Sequence, residues 1–357
     1  MFKNPIALSI ALALSSASLG LITTSAHAAE TTTKAAQTMN PFFQQSPLAY
    51  QYPQFDKIKD SDFAPAFDRG MADNTAEINA IANNPAAPTF DNTIIAMEKA
   101  GQLLGRATTV FFNLSSANTN DAIDKLEGEY SPKFAAHFDS VYLNAKLFER
   151  IKTLHKNRET LGLDAQGVRL IERYYTDFMR SGANLTDAQK TRVKAINSEL
   201  ATLSTQFSQN VLAEVNDSAI IVSDRAELAG LSDEQIAGFA ESAKEKNMPG
   251  KYRIALVNTT IQPILPQLDN RALRERIHKA SIARGARGNE WDNRAIVSKV
   301  TKLRAERAAI MGYPSYAAFS MAEETAKNPE AVNAMLEKMA PPAVANARKE
   351  GAVLQAM

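Results

Sequence analysis

Between Asp187 and Val215 the apolar residues Val193, Ile196, Leu200, Leu203, Phe207 and Val211 recur every three or four positions. That spacing lays them along one face of a helix. Thr186 and Gln189 stand where a reciprocal cap would close its N-terminal end. At 1.5 Å per residue such a helix runs for about 43 Å. This is too long for a compact small bundle, so the spacing predicts an elongated helical architecture.

Other segments carry the same period. Helices are expected over Ser61 to Ala82, Thr89 to Phe112, Asn120 to Phe138, Asn144 to Leu161, Ala165 to Gly182, Asn270 to Ala283 and Asn293 to Met311. Ser232, with Gln235 three residues on, caps a further helix. Asp292 or Asn293 begins the Asn293 helix, and Gly312 and Pro314 end it. Strand character is confined to "AIIVS" (Ala219 to Ser223) and "KYRIALV" (Lys251 to Val257), which predicts a small β element near residues 219–257 in a mostly α protein. Past Met311, three short helices are expected, separated at Asn328-Pro329 and Pro341-Pro342. The last, ending "ANARKEGAVLQAM", has no stop signal after it. Near residue 40, prolines alternate with aromatics, as if an extended segment pinned itself to the helical body through Phe42, Phe43, Tyr50, Tyr52 and Phe55.

The first residues read differently. Lys3, an apolar run from Ile6 to Leu14 and the pattern Ala26-His27-Ala28 have the form of an export leader cleaved near Ala28. Ser9, Ser15, Ser16, Ser18 and Gly20 interrupt the run, whereas a membrane span needs about 20 strongly apolar residues. The expected location is therefore the periplasm or the medium, with 1–28 as signal peptide and 29–39 as a flexible mature N-terminus. The chain contains 40 Lys and Arg against 39 Asp and Glu, interspersed rather than blocked, so it bears no electrostatic footprint for nucleic acid or an anionic membrane. It has no cysteine, so packing must replace disulfides and no thiolate is available as nucleophile or ligand.

Beyond the leader the histidines are His137, His155 and His278, widely separated. A zinc hydrolase commonly places two histidines one helical turn apart with a glutamate beside the first, and that pattern does not occur here. His137 reads as a helix-surface or capping residue, His155 lies among cations, and His278 reads as part of a solvated helix face. Neither G-x-S-x-G nor S-x-x-K is present, and "RGARG" lacks the phosphate-cradling pattern. That stretch reads as a mobile basic loop in which Arg284 and Arg287 could contact a carboxylate or a peptide terminus. Glu127 and Glu129 read as solvated charges. No catalytic, cofactor-binding or metal-binding residue is assigned from chemistry.

Several passages, in order, resemble the thimet oligopeptidase and neurolysin family of zinc metallopeptidases, in its bacterial peptidyl-dipeptidase (dipeptidyl carboxypeptidase) branch. They include "NPFFQQSPLAYQYPQFDKIKDSDFAPAFDRGM", "SPKFAAHFDSVYLNAKLFERI", "INSELATLSTQFSQNVL", "LVNTTIQPILPQLDNRALRERIHKAS" and "DNRAIVSKVTKLRAERAAIMGYPSYAAFSMAEETAKNPEAV". The resemblance implies two helical lobes flanking a channel, with zinc on an H-E-x-x-H helix of the C-terminal lobe. It further implies release of dipeptides from the C-terminus of short unstructured peptides, by a monomer when complete. On this reading residues 40–291 are the N-terminal helical lobe and 292–357 the start of a catalytic lobe that breaks off before the zinc motif. The chain alone is then expected to be inactive and to bind no zinc through its own residues. The alternative is a non-catalytic periplasmic peptide-binding or scaffold protein derived from that family. The Gly312-Tyr313 turn with Tyr316 and Phe319 resembles a family landmark and is expected to pack helices rather than touch substrate.

Overall fold

The computed structural model describes residues 39–357. The expected leader and nearly all of the 29–39 segment lie outside them. Helices α1 (Phe63–Ala82), α2 (Ala96–Lys99), α3 (Gln102–Ala117), α4 (Asp121–Tyr142), α5 (Ala145–Asn157), α6 (Ala165–Ser181) and α7 (Asp187–Asp217) follow one another. Strand β1 (Ile220–Val222), helix α8 (Asp233–Glu245) and strand β2 (Tyr252–Ile254) come next, then α9 (Asn258–Ile264), α10 (Arg271–Ile282), α11 (Arg294–Ile310), α12 (Tyr316–Met321) and α13 (Pro329–Ala356). The expected mostly α fold with one small β element is what forms. The two strands pair antiparallel, with Ile220 opposite Ile254 and Val222 opposite Tyr252.

Local chemistry explains the ends. Thr186 and Gln189 form the expected reciprocal cap on α7, and Ser232 and Gln235 do so on α8. Removing the α7 cap with Thr186→Ala is expected to cost about 1 kcal/mol, read as a lower urea midpoint at unchanged slope. At α11 the carboxylate of Asp292 accepts the Arg294 N–H (3.0 Å), while Asn293 makes no side-chain cap bond.

Three expectations are corrected. The helix expected over Thr89 to Phe112 is broken: a π-helical turn over Phe90–Ile95 leads into α2, Ala100 is extended, and Gly101 takes a left-handed φ of 74° before α3. Glycine tolerates that conformation, and Glu77 of α1 holds the break by accepting the Gly101 N–H at 2.7 Å. Pro341 and Pro342 do not separate two helices, because α13 runs through them. Proline frees the carbonyl four residues back; those of Glu337 and Lys338 belong to exposed residues, where water can take the lost bond. Lastly, Phe42 packs on Phe63 with ring centres 5.2 Å apart and is buried, but Tyr50 is wholly exposed, Tyr52 mostly so and Phe55 partly so. The aromatic segment is pinned at its beginning only.

Among the described residues the core forms three clusters. Phe42, Phe63, Phe67, Leu104, Phe111, Ile123, Tyr130 and Phe134 make an aromatic cluster among α1, α3 and α4. Ile78, Ile94, Leu147, Ile151, Ile171 and Phe178 fill a second, among α1, α5 and α6. Val222, Leu228, Ile254, Leu256, Ile264 and Ile277 fill a third around the two strands. There, Gly230 has φ 94° and a Cβ on it would lie 2.0 Å from the Gln267 carbonyl oxygen, so only glycine fits that crossing. Helix α7 packs along α4 and also receives α11. Helix α13 buries no residue.

Candidate functional site

The histidines come to rest on α4, α5 and α10. His137 is not on the surface as expected: it is 8% exposed, and its ring Nε2 is 2.8 Å from Asn74 Oδ1. It lies on the stripe Tyr130, Phe134, His137, Val141, a helical spacing that forecasts its burial. Burial pushes its pKa down. His155 stacks on Tyr175 with ring centres 3.9 Å apart, and burial followed by the nearby Arg158 lowers it too. His278 is exposed, as expected. Among the described residues no three His, Asp or Glu side chains are grouped so as to hold a metal ion. The zinc implied by the family resemblance therefore finds no fitting ligand set in them.

The Arg/Gly loop is tied down by a buried carboxylate. Glu214, on the stripe of α7, is 2% exposed and accepts from Arg287 Nε (2.6 Å), Arg287 Nη2 (2.9 Å), Asn289 Nδ2 (3.1 Å) and the Gly285 N–H (3.3 Å). Arg287 also donates to Asp217 at 2.6 Å. The guanidinium, outweighing burial, holds the Glu214 carboxyl below its ordinary range, and the same pairing raises Arg287. Arg284 donates to the carbonyls of Ser281 and Leu256. Arg287 is thus engaged by carboxylates of this chain, and the stretch read as a mobile loop is tied to α7 at several points.

Beside it, α7, α10 and α11 enclose a groove of about 600 Å³. Val211 and Val297 give it an apolar wall, half-exposed at 45% and 50%, while Arg284 and Arg294 stand among its lining residues. The groove can seat an apolar side chain, while its two guanidinium groups are already engaged, Arg294 with the Asp292 carboxylate (2.6 Å) and Arg284 with main-chain carbonyls. Ser281 and Ser298 line it too, but none of the three histidines does, so no serine there has an imidazole base.

Farther along α11, Phe319 of α12 is buried, with the guanidinium of Arg180 4.4 Å and that of Arg307 5.5 Å from its ring centre. Arg180 Nη2 also donates to the Phe319 carbonyl at 2.8 Å, and Tyr313 meets the ring edge-on at 5.2 Å. Tyr313 and Phe319 thus pack α11 and α12 together beside α6, while Tyr316 remains exposed. Sequence reasoning missed Glu214 and Asp139, the latter being 9% exposed on α4 and bonded by Asn197. Glu214 had a signal, since it extends the Phe207, Val211 stripe by three residues.

Comparison with known proteins finds relatives over most of the chain. The model of peptidase family M3 matches residues 264–357. Over 320 residues, 90% of this chain and 47% of the relative, the sequence is 42% identical to the dipeptidyl carboxypeptidase of Escherichia coli K12. It is also 42% identical to that of Salmonella typhimurium over 316 residues, 88% of this chain and 46% of the relative. Oligopeptidase A of Salmonella typhimurium is 26% identical over 312 residues, covering 86% and 46% of the two chains. The chain spans about half the length of these relatives. It is a relative of the family M3 peptidases. It is more similar to these dipeptidyl carboxypeptidases than to this oligopeptidase A.

Proposed function

We propose that this chain is the N-terminal part of an exported zinc peptidyl-dipeptidase, an enzyme that removes dipeptides from the C-terminal end of short unstructured peptides. The observation that carries the reading is the 42% identity, sustained over 90% of the chain, to a dipeptidyl carboxypeptidase. In this proposal residues 40–291 form the helical lobe that walls one side of the peptide channel, and residues 292–357 begin the lobe that bears the metal. The zinc would supply an activated water at ligands outside residues 39–357, and no step of hydrolysis runs through the side chains described here. Burial of His137, stacking of His155 and exposure of His278 on separate helices support that division.

By itself the chain is expected to release no dipeptide. The check is incubation of the purified chain with added zinc and a blocked tetrapeptide bearing a free C-terminus, read by mass spectrometry. Turnover would sink the division of labour. The coding DNA past codon 357 tests the enzyme assignment separately: an in-frame H-E-x-x-H supports it. A stop there, together with peptide binding by the isolated chain, would support the non-catalytic binder instead.

A further inference from the structure

Where α4, α7 and α11 meet, buried polar atoms are left over. Asp139 Oδ2, Asn197 Oδ1, Arg180 Nη1 and Arg307 Nε are all buried without a hydrogen-bond partner. Their side chains are neighbours. Asn197 Nδ2 donates to Asp139 Oδ1 at 2.7 Å, Arg307 acts electrostatically on Asp139, and Arg307 and Arg180 share the Phe319 ring. A buried polar atom without a partner costs free energy comparable to a lost hydrogen bond, so several in one place call for a reason.

The chemistry of the pair supplies one. An ionised carboxylate only accepts, and the Asn197 amide has already spent a donor on Oδ1. Its own oxygen and Asp139 Oδ2 are then two acceptors without a hydrogen between them. One proton on the acid satisfies both and closes a ring of two hydrogen bonds. Without that proton, the remedy for Oδ2 is the unpartnered Nε of Arg307.

We propose that Asp139 and Asn197 form a proton-operated clasp between α4 and α7: protonated Asp139 closes a second hydrogen bond to Asn197, and loss of that proton to solvent turns the carboxylate toward Arg307 of α11. The charged groups facing Asp139 are Lys194 on α7 and Arg307 on α11; Arg180 on α6 and Tyr316 on α12 face Arg307 in turn. Both cations and the Asn197 bond favour the ionised form, but burial outweighs them and pushes Asp139 up to about 6. Both states therefore lie within a pH unit or so of neutrality. Because Arg307 also holds Phe319, the proton is felt where α11 and α12, part of the segment matched by the family M3 model, join the helices before them.

The sign follows from the raised value. The proton's contribution to stability is complete below the ordinary aspartate range and is lost as pH rises through about 6. The test is a carbon-13 NMR titration of aspartate-labelled protein, with Asp139→Asn identifying the resonance, alongside melting curves of wild type and Asp139→Asn from pH 4 to 7. The expected midpoint is near 6, moving upward in Arg307→Met, and Asp139→Asn gains a few degrees in Tm on the wild type as pH rises. An ordinary carboxylate midpoint in the wild type would overturn the clasp without needing any variant to fold. So would a midpoint unmoved by Arg307→Met, or a Tm difference constant across the range.

Discussion

Arg287→Ala is expected to destabilise the protein by about 3–5 kcal/mol, the cost of leaving a buried charge without its partner. The asymmetry of the pair sets the size. The Glu214 side chain is 2% exposed and that of Arg287 30%, so removing the arginine leaves a largely desolvated carboxylate without its countercharge. Asn289 and the Gly285 N–H remain, but neither carries charge. The complementary Glu214→Gln change should cost less, because Arg287 keeps Asp217 and solvent. Urea unfolding measures both. The dependence on pH adds a check whose sign is fixed. In the wild type Glu214 is held below its ordinary value, so its contribution is present at neutral pH and is lost as pH falls through that depressed value. In Arg287→Ala burial is left to push the carboxyl upward, so the deficit should narrow as the solution is acidified through the ordinary glutamate range. A variant within 1 kcal/mol of wild type at pH 7 would show that the loop is not anchored by this pair.

Phe67→Ala carries a second large effect, about 3–5 kcal/mol. The ring is wholly buried and lies between four others: Phe63 at 5.9 Å, Phe111 at 5.1 Å, Tyr130 at 5.0 Å and Phe134 at 4.9 Å. Three are tilted or edge-on, arrangements that add to simple burial. Those neighbours belong to α1, α3 and α4, and rigid helices cannot close fully around the vacancy. Phe67→Leu refills most of the volume and should cost less. A loss for alanine no greater than that for leucine would mean the cluster collapses freely around the gap. Because the ring partners of Phe67 and the hydrogen-bond partners of Glu214 have no residue in common, the two penalties should add in the double variant.

The helices were legible because their signals are local. The α7 stripe, its Thr186–Gln189 cap and the Ser232–Gln235 cap lie within a few residues of the bonds they make. Errors arose where a distant partner decides. Gly101 ends a helix because Glu77, on another helix, takes its N–H. Tyr50 and Phe42 are alike as aromatics near prolines, yet only Phe42 meets a pocket, beside Phe63. Val211 belongs to the α7 stripe by spacing but faces the groove, while Asn210 and Glu214 take the buried positions.

The sequence by itself determined the helical class, the small β element and the scattering of the histidines, because periodicity, capping and composition are properties of neighbouring residues. Only the tertiary structure decided that His137 is buried on Asn74, that Arg287 neutralises Glu214 and that Asp139 meets Asn197 beside Arg307. Each joins residues more than 50 positions apart, and the cost of burying a polar group is settled by whichever partner packing brings to it.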